Sequence, residues 1–194
     1  MKELILARHG ESVYSAEGRA NGSPAVPVGL TPAGRNQASS LARRLAGEAI
    51  DLCITSQFPR ARATADIALA DRQLPRAVAD RLNDLVYGDF EGELLTVYQQ
   101  WRRRHTIGDR PPGGGESRRD VAARVGAAIA GLVERPEDRI LVVCHELPVK
   151  FLLAAHRGES LDELPIQVEY ATPYRLPAAE ARRAAECLLA WGVD

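Results

Sequence analysis

Apolar residues fall into two kinds of run along this chain. Leu4-Ile5-Leu6-Ala7 and Ile140-Leu141-Val142-Val143-Cys144 are continuous, the pattern of short strands buried on both faces and usually parallel. Residues 51–55 and 77–79 are shorter versions of the same signal. Between these runs apolar positions recur at helical spacing: Ala38, Leu41, Ala42, Leu45 and Ala49; then Ala63, Ile67 and Ala70; then Leu94, Val97, Tyr98 and Trp101; then Val121, Val125, Ala128, Ile129 and Leu132; last Ala181, Ala185, Leu188 and Leu189. Thr31 before Pro32 reads as a cap with a first-turn proline. Pro59 opens the next helix, and Pro148 starts another that Gly158 closes. Residues 13–28, rich in Gly, Ser, Pro and Ala, read as loop. Residues 168–176 read as one strand or a pair of short extended segments. Strands alternating with helices predict an α/β fold, a three-layer α/β/α sandwich around a mostly parallel central sheet. No linker or repeat divides it, so residues 1–194 are expected to form a single domain, with residues 88–115 as a small cap segment over the site.

Composition narrows the function classes. A hydrophobic fraction of 45% and a charged fraction of 26% over 194 residues fit one globular α/β domain with a full core. A net charge of −1 excludes a global field that would recruit nucleic acid or an acidic membrane, so any anion site must be built locally. No apolar run reaches membrane-spanning length, and the run at 4–7 is too short for a signal peptide. Cys53 and Cys144 fall inside apolar strands, which points to free thiols and a cytoplasmic protein. Composition leaves the oligomeric state open.

The chemistry is concentrated where strands end. The first strand stops at Arg8 and His9, with Gly10 expected to turn the backbone away. The second is followed by Ser56 and, one helix turn on, Arg60. The third leads to Asp84, and the fourth ends at His145. A parallel sheet brings such carboxyl ends to one edge. Taken singly, Arg60 also fits a solvated helix position, His145 a core histidine and Asp84 a turn cap. Their repeated placement at strand ends favours a site. Arginine forks match phosphate oxygens and stay charged, a histidine is a competent nucleophile near neutrality, and a carboxylic acid can protonate a departing alkoxide. A cysteine phosphatase is excluded: the position six after Cys144 is Lys150, and Cys53 is one residue out of register with Arg60. The glycines at 113–115 lack the Gly-Lys-Ser/Thr of a nucleotide-binding loop, and no metal-ligand spacing such as HExxH occurs.

Arg8-His9-Gly10-Glu11-Ser12 resembles the signature of the histidine phosphatase superfamily, in its phosphoglycerate mutase-like branch. The resemblance continues, in family order, through Leu30-Thr31-Pro32-Ala33-Gly34-Arg35-Asn36-Gln37-Ala38, then Ser56 and Arg60-Ala61 with Thr64-Ala65, then Gly88-Asp89-Phe90-Glu91-Gly92, Gly114-Gly115-Glu116-Ser117 and Val142-Val143-Cys144-His145. It implies a phosphomonoester hydrolase working through a phosphohistidine on His9. Arg8, Arg60 and His145 would bind the phosphoryl oxygens, Asp84 would be the acid, and a small phosphorylated metabolite the substrate. It implies no metal and no cofactor.

Three positions depart from the family pattern. Asp84 stands where the family usually has glutamate, with Glu91 and Glu11 as alternative acids. Ser15 stands at a phosphate-contacting asparagine, and Glu146 at a glycine. Two other readings stand beside hydrolysis: a mutase-type phosphotransferase, which the short stretch from 84 to 114 disfavours, and a catalytically weak or dead phosphoester-binding regulatory protein, which Asp84 and Glu146 would support. Tyr87, Tyr98, Trp101 and the arginines at 102–104 either line the cap or are core and solvated residues respectively.

Overall fold

The computed structural model describes residues 1–193. Five strands form one sheet: β1 (Glu3–Arg8), β2 (Leu52–Thr55), β3 (Arg76–Val78), β4 (Arg139–Cys144) and β5 (Pro173–Pro177), in the order β3-β2-β4-β1-β5. The first four are mutually parallel, and β5 runs antiparallel to β1 along the other edge. The sheet is therefore mostly parallel, as the apolar runs predict. Its central strands β1 and β4 have helices on both sides. Leu4, Leu6, Ile140 and Val142 face a layer built from α5 (Arg118–Val133), α6 (Glu146–Arg157) and α7 (Ala178–Val193). Ile5, Ala7, Leu141 and Val143 face α2 (Pro32–Arg44) and α3 (Pro59–Ala68). With both faces covered, nothing selects for polar alternation, and each fully buried aliphatic side chain is worth about 1.5–3 kcal/mol of transfer free energy.

Register decides where the chemistry falls. Arg8 is level with Cys144, and Thr55 with Val143. The ladder continues one residue beyond the strands, where His9 N–H donates to the Cys144 carbonyl (2.9 Å) and Ser56 N–H to that of Val143 (3.2 Å). His9, Ser56 and His145 therefore leave the sheet side by side.

Several elements differ from the sequence expectation. The stretch 13–28 is not all loop: Ser12 caps a short helix, α1 (Val13–Glu17), by accepting from Ser15 N–H. None of its residues is buried, so it carries no apolar period. On α3 the inward face runs through Ala61, Thr64, Ala65 and Ala68, and Ala70 lies beyond the helix and exposed. Small residues serve there because Thr64 Oγ1 must reach Gly10, whose N–H it accepts at 3.0 Å. The helix α2 stops at Arg44, short of the exposed Ala49. The third strand is 76–78, and all three of its residues are exposed. The helix α6 begins at Glu146, two residues before Pro148, since a first-turn proline lacks only an N–H that has no helical partner. Of residues 168–176, only 173–176 are in a strand, which continues to Pro177.

Gly10 serves close approach. A Cβ at Gly10 would lie 2.4 Å from the Gly34 carbonyl oxygen, and one at Gly34 would lie 2.0 Å from that of Glu11. Neither glycine has a positive φ; the pair lets the start of α2 press against the loop that carries His9.

Candidate active site

His9 is almost fully buried, with its Nδ1 2.6 Å from the Gly10 carbonyl oxygen. A carbonyl only accepts, so Nδ1 carries the proton and Nε2 the lone pair. Arg60 Nε–H donates to that lone pair at 2.9 Å. Burial first, then Arg60, hold the His9 pKa well below the ordinary histidine value, so the ring is neutral near pH 7.

Arg60 organises the floor. One terminal nitrogen donates to Asn21 Oδ1. The other reaches the Asn21 carbonyl (3.1 Å), Asp84 Oδ2 (3.0 Å) and His145 Nδ1 (3.2 Å). His145 is fully buried, with its ring 5.2 Å from that of His9, and Nε2 is 2.7 Å from Ser56 Oγ. Accepting from Arg60 at Nδ1 leaves Nε2–H to donate to Ser56. Burial, then the charge of Arg60, hold the His145 pKa low as well. Asp84 Oδ2 also lies 3.4 Å from His145 Nδ1, and Oδ1 accepts from Leu85 N–H at 3.0 Å. Burial raises the Asp84 pKa, and Arg60 opposes it. His9, Ser56, Arg60, Asp84 and His145, five of the six residues that sequence spacing singled out at strand ends, thus meet in one network.

Arg8 lies beside them under different constraints. Its guanidinium covers the Tyr170 ring at 3.8 Å, donates to the Val168 carbonyl (3.1 Å) and pairs with Glu146 (2.9 Å). Glu146 is also 2.5 Å from Lys150. Its carboxylate thus holds Arg8, where a glycine would leave that nitrogen for a ligand. Ser15 is on the wall of the same cavity, but its hydroxyl meets that of Ser12 at 2.8 Å. Neither alternative acid lines the cavity. Glu91 accepts from Asn21, Gly22 and Ser23, and Glu11 from Thr31.

The cavity above this floor is about 340 Å³, the size of a metabolite pocket. Tyr87, Tyr98, Gln99 and Arg102 line it; Tyr98, Gln99 and Arg102 come from α4 (Leu95–Arg102). The aromatic and arginine group splits. Trp101 stacks on His105 with ring centroids 4.2 Å apart, packs against the core and does not face the cavity. Arg103 and Arg104 are exposed. Sequence spacing missed Asn21 and Tyr170, neither of which follows a strand of the parallel set. The one available signal was an asparagine inside the Gly-Ser-Pro loop. Among the described residues, no group of three or more His, Cys, Asp or Glu side chains is placed to hold a metal ion. No helix there is long and apolar enough to cross a membrane. Burial pushes the Cys53 and Cys144 thiols up to about 12, which removes them as nucleophiles.

Such a floor suits a tetrahedral oxyanion, and the sheet that presents it is that of a known phosphoryl-transfer class. A family model described as histidine phosphatase superfamily (branch 1) matches residues 4–188, and the chain belongs to that superfamily. It is 35% identical over 162 residues to the adenosylcobalamin/alpha-ribazole phosphatase of Escherichia coli (strain K12), which covers 78% of this chain and 77% of that one. It is 32% identical over 196 residues to the 2,3-bisphosphoglycerate-dependent phosphoglycerate mutase of Methylobacterium sp. (strain 4-46), covering 90% and 91%. The crystal structure of the alpha-ribazole phosphatase from Shigella flexneri matches with a TM-score of 0.77 at 30% identity over 89% of both chains.

Proposed function

We propose that this protein hydrolyses a small phosphorylated metabolite through a phosphohistidine on His9. The observation that carries the reading is the state of His9: its proton is held on Nδ1 by Gly10, and its Nε2 lone pair faces Arg60 beside the cavity. Nε2 attacks phosphorus, the ester P–O bond breaks, and the departing oxygen takes its electron pair and the Asp84 proton. The raised Asp84 pKa favours the protonated form this step uses. Arg60 turns from Nε2 to the phosphoryl oxygens, joined by Arg8 and His145. As the dianion binds, its negative charge favours uptake of a proton from solvent at His145 Nδ1, which then donates to a phosphoryl oxygen. In the second half Asp84 takes a proton from water, the water oxygen bonds to phosphorus, and the P–N bond returns its pair to Nε2. Ser15 adds an outer phosphate contact, and residues 88–115 form the cap of a single domain. The buried free thiols support a cytoplasmic setting.

No cofactor enters this scheme, and the positive charge comes from Arg8, Arg60 and the His145 protonated as substrate binds. A panel of metabolite phosphates, assayed with chelator present, is expected to include rapidly hydrolysed members, with vanadate and inorganic phosphate as competitive inhibitors. Activity lost to chelator and restored by a divalent ion would move the protein to metal-assisted chemistry. No turnover across the panel would overturn the hydrolase reading in favour of a phosphoester-binding protein.

The Arg8–Glu146 pair is the observation that favours that second reading, and it has its own test. A phosphoryl group must displace the Glu146 carboxylate from Arg8. Glu146 is 38% exposed, so the pair is worth about 1 kcal/mol or less after solvent screening. Glu146→Gln is expected to lower KM and the inhibition constant of inorganic phosphate together, by up to about fivefold. A rise in both constants would show that Glu146 presents Arg8 to the substrate instead of withholding it.

A further inference from the structure

Arg124 lies one layer behind the floor, on α5, and every N–H of its guanidinium is engaged. Nε donates to Glu116 Oε1 (2.8 Å) and one Nη2 hydrogen to Glu116 Oε2 (2.9 Å). The remaining three donors go to consecutive parts of the segment that carries the acid. Nη1 reaches the carbonyls of Arg81 (2.9 Å) and Asn83 (2.7 Å), and Nη2 reaches that of Asp84 itself (2.8 Å). Glu116 closes the far side: its Oε2 accepts from Val86 N–H (3.1 Å), and its own N–H donates to the Val86 carbonyl (2.9 Å). Residues 81–86 are thus gripped on both sides of Asp84 by one ion pair, while Leu82 and Leu85 anchor the same stretch in the core.

We infer that Arg124, braced by Glu116, is a positioning residue that sets the reach of the Asp84 carboxyl toward the leaving oxygen. The inference rests on the hydrolase reading and deepens it. Asp84 is one methylene shorter than glutamate, so its reach depends on where its backbone sits. A small misplacement of a proton donor costs rate steeply, about 100-fold for 1 Å. Only a planar five-donor fork can hold three carbonyls and a carboxylate at once; a lysine ammonium has three donors and no such geometry. Arg124 does not line the substrate cavity. It lines a second, solvent-open cavity of about 320 Å³, and Asp84 forms part of the wall of both.

The test compares two leaving groups. Arg124→Lys and Arg124→Ala are assayed on an alkyl phosphate, whose alkoxide needs the proton, and on p-nitrophenyl phosphate, whose phenolate scarcely does. The expected result is a 10- to 100-fold fall in kcat on the alkyl ester with KM changed less than about threefold. The p-nitrophenolate burst rate should change by less than about threefold. Because the second cavity opens to solvent, millimolar guanidinium added to Arg124→Ala should restore part of the alkyl rate and leave the burst unchanged. Equal losses on both leaving groups, as from a smaller folded fraction, would overturn the inference and leave the hydrolase reading standing. So would a wild-type alkyl rate in Arg124→Lys. A wild-type protein that turns over neither ester overturns both.

Discussion

Replacing His9 by alanine is expected to lower turnover about 10⁴-fold or more, the scale on which enzymes lose a covalent nucleophile. The substitution removes the imidazole whose Nε2 lone pair faces the cavity beside Arg60. Brief mixing of the wild-type protein with ³²P-labelled substrate should give an acid-labile, base-stable label, and His9→Ala should show none. Alanine also leaves the Gly10 carbonyl and the Arg60 Nε–H without these partners, at about 1–3 kcal/mol for each group that finds no other. The fold must therefore be checked separately, by the near-ultraviolet circular dichroism of Trp101 and Trp191. His9→Asn, closer in size and still polar, should keep that signal and remain inactive. Near-wild-type turnover in either folded variant would sink the covalent mechanism.

Asp84→Asn is expected to lose about 100-fold or more on alkyl phosphates, the usual contribution of a general acid. The p-nitrophenolate burst should fall much less. Asparagine keeps the shape and a carbonyl for Arg60 and Leu85, but it has no acid proton to give. Dephosphorylation is expected to slow with every substrate, because in the proposed mechanism the same group activates water, so the burst separates the two roles and the steady state does not. The pH dependence has a definite sign. Asp84 has its pKa raised by burial, so its acid form persists to higher pH than in an exposed aspartate. As pH rises through that raised value the proton is lost, and the phosphorylation step on alkyl esters should decline. His9 is shifted the other way, so the nucleophile should stay neutral to lower pH than an exposed histidine. An identical alkaline limb in Asp84→Asn would show that another group supplies the proton. Glu91 and Glu11 are poor substitutes, since their carboxylates hold the 21–23 loop and Thr31.

The local pattern determined the frame. β1 and β4 were legible as unbroken apolar runs because both their faces are covered, and α2, α5 and α7 because one face of each is. His9, Arg60, Asp84 and His145 could be read together because a parallel sheet delivers strand ends to one edge. What local pattern could not give is whatever has no periodic burial. The helix α1 buries none of its residues, and β3 is wholly exposed, so the first was missed and the second placed one residue late. The antiparallel course of β5 is a choice of partner, made by packing against β1.

Within the site, residue types determined what chemistry was available, and tertiary structure decided which atoms perform it. A histidine at the end of the first strand was readable, but the tautomer that frees Nε2 comes from the Gly10 carbonyl. The arginines were readable, yet Arg60 is aimed by Asn21, 39 residues away in the chain, while Arg8 is held by Glu146, Val168 and Tyr170. Arg124 lies outside every motif the sequence singles out, and only the folded chain shows its donors on the segment that carries Asp84. Burial periodicity is a property of neighbours along the chain. Hydrogen-bond direction, desolvation and charge pairing depend on neighbours in space, which only the packed core brings together.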